Sequence, residues 1–197
     1  MTVRSGVPIL MIAFWAVACT SLHVQNSTSP SSSMDQKSDE GRCRGPIVVR
    51  LKMSDGQIHG IKFAAAPPPV QGNLINIFAG ETLYIEAEES GDLLVNFSAV
   101  QTITNPKNTL TFCFFQDPSI ADGTHMVLIA ESPFARPIKY HLGMRLHERQ
   151  NFYKTSSCPV RGGVKMLEHW PHPISHLTIG DMRFLDPNSQ EAGICQY

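Results

Sequence analysis

The chain has 197 residues, of which 16 are Lys or Arg and 17 are Asp or Glu. Near neutrality without any basic cluster argues against a nucleic-acid partner, which would require a positively charged face. The length is one that a single domain readily fills. We therefore predict one folded domain and no binding to nucleic acid.

The first eighteen residues have the composition of an export signal. Arg4 is the only Lys, Arg, Asp or Glu before Asp35, and an uncharged apolar run extends from Val7 to Ala18. A membrane-spanning helix needs about 20 apolar residues, whereas the core of a signal peptide needs about 7–15. We therefore predict that residues 1–18 are a cleaved signal peptide.

The end of this run indicates which kind of signal it is. Ala16-Val17-Ala18-Cys19 resembles the bacterial lipoprotein signal, in which small residues precede a cysteine. The resemblance covers residues 1–19. It implies cleavage after Ala18, attachment of diacylglycerol to Cys19, and acylation of the new amino terminus by fatty acids such as palmitate.

The same resemblance carries an implication for localisation. In that family an aspartate directly after the lipid-bearing cysteine favours retention at the inner membrane, and Thr20 occupies this position here. We therefore expect an outer-membrane lipoprotein that faces the periplasm. The alternative is an ordinary secretory signal, after which Cys19 has no special role.

Residues 19–42 are predicted to be the lipidated cysteine and a flexible tether. Between Thr20 and Glu40 the sequence is dominated by Ser, Thr, Asn, Gln and Asp, so it offers too little apolar surface to offset the entropy of ordering. A coil of this length reaches roughly 25 Å. The remaining chain, residues 43–197, resembles in general terms the uncharacterised envelope lipoproteins of Gram-negative bacteria, and this likeness implies no activity.

Cysteine usage also indicates an oxidising compartment. Of five cysteines, four remain once Cys19 carries lipid: Cys43, Cys113, Cys158 and Cys195. No Cys-x-x-Cys motif occurs among them, so two disulfides are favoured over a thiolate metal site. We favour the pairs Cys43–Cys113 and Cys158–Cys195. The alternative is a single disulfide with two buried free thiols.

The folded part is predicted to be all-β. Apolar residues alternate with polar ones in short runs separated by turn residues, and no helical stripe is present. We predict an antiparallel β-sandwich, of immunoglobulin type as the first choice and a jelly roll or partly open barrel as the second. Residues 148–197 are predicted to be a loop-rich extension of this domain. The main predicted strands lie at residues 47–53, 58–63, 74–78, 82–87, 93–100, 109–116, 125–130, 138–146 and 177–185.

One stretch has the composition of a metal site. His169, His172 and His176 lie close together in sequence beside Glu168, and imidazole is a common ligand of zinc and copper. Two prolines within the stretch exclude the helix that would place these rings on one face. The alternative is that Trp170 and the prolines close one end of the sandwich, with the histidines at the surface or hydrogen-bonded.

Motifs of common enzyme classes are absent from the sequence. It contains no Gly-x-Ser-x-Gly, no phosphate-binding glycine loop and no zincin motif. The carboxylates at Glu88, Glu89 and Asp92 accompany a glycine turn and are interpreted as solvated charges. We therefore predict a binding or structural role without catalysis. The partners expected are the membrane, through the lipid anchor, and an unknown envelope protein or glycan.

Two other functions stay open at this point. One is a metal-binding protein or metal-dependent enzyme that uses His169, His172 and His176. The other is a periplasmic inhibitor or chaperone-like protein that recognises its partner through a loop or an edge strand.

Overall fold

A computed structural model describes residues 43–120, 122–147 and 149–195. The predicted signal peptide, Cys19 and the tether at 19–42 lie outside these residues. Within them, no helix has the length and apolar character needed to cross a membrane.

The described chain is built from short strands and contains no α-helix. Its single helical element is a 3₁₀ turn, η1, at Gln190–Gly193. The strands are β1 Ile47–Lys52, β2 Ile58–Phe63, β3 Val70–Gln71, β4 Leu74–Phe78, β5 Glu81–Ser90, β6 Leu93–Val100, β7 Thr109–Gln116, β8 Met126–Glu131, β9 Ile138–Leu146, β10 Tyr153–Thr155, β11 Met166–Trp170 and β12 Ile174–Phe184.

Ten of these strands form one sheet, and β1 and β2 form a separate hairpin. The main path through the sheet runs β10-β9-β12-β6-β5-β7-β8-β11, with β4 attached to β12 and β3 attached to β4. All strand pairs are antiparallel. The predicted all-β, antiparallel class is therefore confirmed. The described strands form one long sheet and a two-stranded hairpin, rather than two sheets of similar size.

The long sheet curls, so that its two halves share one core. Ile138 at the start of β9 pairs with Val160, and Ser132 just after β8 pairs with Gly162. Residues 160–162, which precede β11, thus connect the start of β9 with the end of β8, two strands that lie far apart in the sheet order. A Cβ on Gly162 would stand 2.1 Å from the carbonyl oxygen of Phe134, so only glycine fits this crossing.

Apolar side chains from both halves fill the space between them. The core is one cluster and includes Phe112 and Phe114 of β7, Tyr140 of β9 and Leu177 of β12, all at most 1% exposed. Burying side chains of this size contributes roughly 1.5–3 kcal/mol each before the entropy of ordering is counted. This shared core makes the curled sheet a sandwich-like body.

The C-terminal part is more central to the sheet than predicted. Residues 149–165 are rich in loops, as expected. However, β12 is the longest strand, with 11 residues, and it pairs with β9, β4 and β6. Residues 148–197 therefore do not form only an extension, because they supply a strand at the centre of the fold.

The β1–β2 hairpin packs against this body. Val49 and Leu51 are 1% exposed, and the ring of Phe63 contacts the ring of Phe78 at 4.8 Å between centroids. The backbone of Lys52 exchanges two hydrogen bonds with the side-chain amide of Gln116, at 2.7 and 2.9 Å. The predicted hairpin is therefore confirmed, and it covers part of the core.

Candidate functional site

The strand β11 presents two chemically different faces. It pairs with β8 in antiparallel register along its whole length, and side chains alternate along a strand. Glu168 and Trp170 therefore point into the core, where they are 6% and 5% exposed. Leu167 and His169 point outward, and Leu167 is 62% exposed.

The inward face joins a cluster of buried polar groups. The carboxylate of Glu168 accepts a hydrogen bond from the backbone N–H of Cys158. The ammonium group of Lys139 donates to the carbonyl of Ser157, and the Ser157 hydroxyl donates to the carbonyl of Tyr140 at 2.5 Å. Lys139 and Ser157 are only 3% and 2% exposed. These bonds tie β9 to the segment that precedes β11.

The electrostatics of this cluster follow from its burial. Burial raises the pKa of Glu168, and the hydrogen bond from Cys158 opposes that shift. Burial lowers the pKa of Lys139, and the attraction of Glu168 opposes it. Burial and the charge of Glu168 together raise the pKa of Tyr140 well above its ordinary value. Because burial is the largest cause in each case, each group is shifted towards its neutral form.

The outward face of β11 carries a pair of histidines. His125 lies one residue before β8, and its Nδ1 atom is 2.7 Å from Nε2 of His169. The ring centroids are 4.7 Å apart, with the ring planes inclined by 32°. In the β8–β11 register His169 lies opposite Val127, so His125 is its diagonal neighbour, a position that long side chains can bridge.

The backbone of His125 is held by the neighbouring strand, and a carboxylate lies near its ring. The carbonyl of His125 accepts a hydrogen bond from the N–H of Asp117 at 2.9 Å, which continues the pairing of β7 with β8. The carboxylate of Asp122 lies close enough to attract His125. The pKa of Asp122 is lowered mainly by a hydrogen bond from the Thr124 side chain, and the attraction to His125 adds to this shift.

The predicted site at His169, His172 and His176 is not assembled, which corrects that hypothesis. Among the three described ranges, no group of three or more His, Cys, Asp or Glu side chains could hold a metal ion. The rings separate because β11 pairs with β8 whereas β12 pairs with β9 and β4. His169 faces His125, while the Nε2 atom of His172 is buried without a hydrogen-bond partner.

His176 is a core side chain. It is 4% exposed and stacks on Phe78 at 4.2 Å between centroids, with Phe152 edge-on at 5.0 Å. Burial, together with the charges of Arg145 and Arg44, lowers the pKa of His176 to about 4. The ring is therefore neutral at physiological pH and serves packing.

Other polar features of the surface include a second histidine pair, an ion pair that contains a histidine, and a small hollow. His59 and His147 approach to 3.3 Å between Nδ1 and Nε2, with their rings inclined by 74°. His141 and Asp181 form an exposed pair at 3.0 Å.

The hollow has a volume of about 160 Å³ and is lined by carboxylates and amides of β5, β6 and the loop after β6. Its carboxylates already accept hydrogen bonds, Glu88 from Asn96 and Glu86 from Thr104. Hard oxygen donors of this kind bind cations, but here they are engaged within the protein.

The cysteines confirm one predicted pair and correct the other. Cys158 and Cys195 form a disulfide. Cys43 is a free, exposed thiol, so the predicted pair Cys43–Cys113 is wrong. The parity of the cysteine count suggested two pairs, but it cannot identify which cysteines come together in space.

Sequence reasoning did not identify His125. It lies 44 residues from His169, and only the pairing of β8 with β11 brings them together. The available signal was weak: each histidine adjoins or lies in an apolar strand bounded by turn residues. Comparison with known proteins adds nothing here, because no family model, curated protein or solved structure matches the chain.

Proposed function

We propose that this chain is a lipid-anchored protein of the bacterial envelope, held through Cys19, that binds an extended segment of another envelope protein at the open edge of β11. The anchor rests on the sequence of residues 1–19. The binding role rests on one structural observation: β11 is the last strand of the sheet order, and among the described strands it pairs only with β8.

An open edge favours recognition of a polypeptide. The edge strand presents backbone N–H and C=O groups that a partner strand can pair with, while side-chain pockets provide selectivity. Leu167 and Val164 beside this edge are 62% and 58% exposed. A partner strand with alternating apolar residues would cover them. The Cys158–Cys195 disulfide suits an oxidising compartment such as the periplasm.

The anchor is tested by Cys19→Ala in the full chain. Because the proposed attachment is a thioether at this sulfur, the variant should leave the membrane fraction and appear in the soluble periplasmic fraction. Mass spectrometry of the wild-type amino-terminal peptide should show the acyl mass on Cys19. If the variant stays in the membrane fraction, or the Cys19 sulfur proves to be in a disulfide, the anchor is excluded.

The binding surface is tested by Leu167→Lys. A charge on an edge strand discourages strand addition, so the tagged variant should lose the envelope protein that co-purifies with the wild type. The matched control is Ile103→Lys, because Ile103 is also exposed, at 46%, but lies in the turn after β6. Equal loss in both variants would contradict a contact at β11.

A further inference from the structure

We propose that His125 and His169 form a two-histidine site for a square-planar transition-metal ion, with Cu²⁺ as the best match. The site differs from the predicted group at 169, 172 and 176, because it shares only His169 with that group. It depends neither on the lipid anchor nor on the proposed protein partner.

The separation of the nitrogens selects the coordination geometry. A metal ion bound by imidazole lies about 2.0–2.1 Å from each nitrogen. Two nitrogens 2.7 Å apart would then subtend an angle of about 80–85° at the ion, with that bond length. This angle suits two adjacent corners of a square plane, the geometry typical of Cu²⁺ and Ni²⁺ with nitrogen and oxygen ligands.

The number of ligands points the same way. The protein supplies two imidazoles, and water would complete the coordination. Zinc sites usually take three or four protein ligands, and no such group exists among the described residues. At a given set of ligands Cu²⁺ binds more strongly than Ni²⁺ or Zn²⁺, so a site with only two protein ligands favours copper.

The setting of the pair is suitable for a cation. Both rings project from the same face of the β8–β11 ladder, which holds the backbones in register. His169 is exposed and His125 half-buried, so solvent can reach the ion. The two facing nitrogens share one hydrogen in a hydrogen bond, and binding of the ion requires this hydrogen to move to the other nitrogen of its ring, which leaves a lone pair on each facing nitrogen. The nearby carboxylate of Asp122, which attracts His125, favours positive charge.

The experiment is a titration of the purified full chain with Cu²⁺ alone, followed by electron paramagnetic resonance. We expect one strong equivalent with hyperfine splitting from two imidazole nitrogens. His125→Ala and His169→Ala should each weaken this binding at least tenfold. Zn²⁺ should bind more weakly than Cu²⁺.

The matched control is His59→Ala, which disrupts the other histidine pair, His59–His147, and should leave Cu²⁺ binding unchanged. Thermal unfolding of each variant checks that it is folded, and His169→Gln provides a second variant of similar size. Retained binding in both His125→Ala and His169→Ala would overturn the proposal. Loss of binding in His59→Ala alone would likewise overturn it, by placing the copper at the other pair.

Discussion

The two faces of β11 show how neighbouring residues come to have different roles. Glu168 points inward, where its carboxylate accepts a hydrogen bond from the backbone of Cys158. His169 points outward and contacts another imidazole at the surface. The carboxylate of Glu168 is hydrogen-bonded within the protein, whereas the imidazole of His169 is exposed to solvent. Because side chains alternate along a strand, a structural carboxylate and the candidate metal ligand are neighbours in sequence but lie on opposite faces of β11.

The largest expected effect on stability comes from the Cys158–Cys195 disulfide, because Cys158 also donates a hydrogen bond to Glu168 on the inner face of β11. Cys158→Ser opens a disulfide between residues separated by 37 positions. In the chain-entropy account, a loop of that size contributes about 4 kcal/mol to stability. The free energy of unfolding in urea should fall by about that amount.

The control for this prediction is Cys43→Ser, in the same assay. Cys43 is a free, exposed thiol, so its replacement should change the free energy of unfolding very little. An equal loss of stability in the two variants would contradict the assignment of the disulfide to Cys158 and Cys195.

A second test compares a buried imidazole with an exposed one. The pKa of His176 is about 4 in the folded protein against 6.5 ordinarily. The unfolded chain therefore binds the proton more tightly, and the folded state loses stability as the pH falls from 6.5 to 4. The size of this loss is about 3 kcal/mol.

His176→Gln should remove this part of the pH dependence, measured by urea unfolding at several pH values between 7 and 4. The control is His141→Gln, because the side chain of His141 is 56% exposed. That variant should retain the wild-type dependence on pH. The same flattening in both variants would show that the effect does not come from burial of His176.

A third test separates the two faces of β11 directly. Glu168→Leu leaves the N–H of Cys158 without its acceptor, which should cost about 1–3 kcal/mol of unfolding free energy. Glu168→Gln retains an acceptor oxygen and should cost less. His169→Leu, one position further, should change stability by less than about 0.5 kcal/mol. A larger loss for His169→Leu than for Glu168→Leu would reverse the assignment of the two faces.

Much of the strand pattern was predictable from the sequence. The predicted strands at 109–116 and 138–146 coincide with β7 and β9, because alternation and turn residues are local signals. β5 is longer than predicted and continues to Ser90. Its carboxylates therefore lie in a strand, beside a β-bulge between Glu86 and Glu88, and turn propensity alone does not reveal this.

The site was less predictable, because it depends on which strands become neighbours. Closeness in sequence suggested that His169, His172 and His176 act together, yet two of them belong to strands with different partners. The contact of His169 with His125 results from sheet order, because β11 pairs with β8. No local pattern encodes that order.

The most direct test of the central claim, that the outer edge of β11 binds an envelope protein, is site-specific photo-crosslinking in intact cells. A photoreactive residue at Leu167 should give one discrete protein adduct, whereas the same residue at Ile103 should give none. Adducts of equal yield at both positions, or no adduct at Leu167, would contradict the claim.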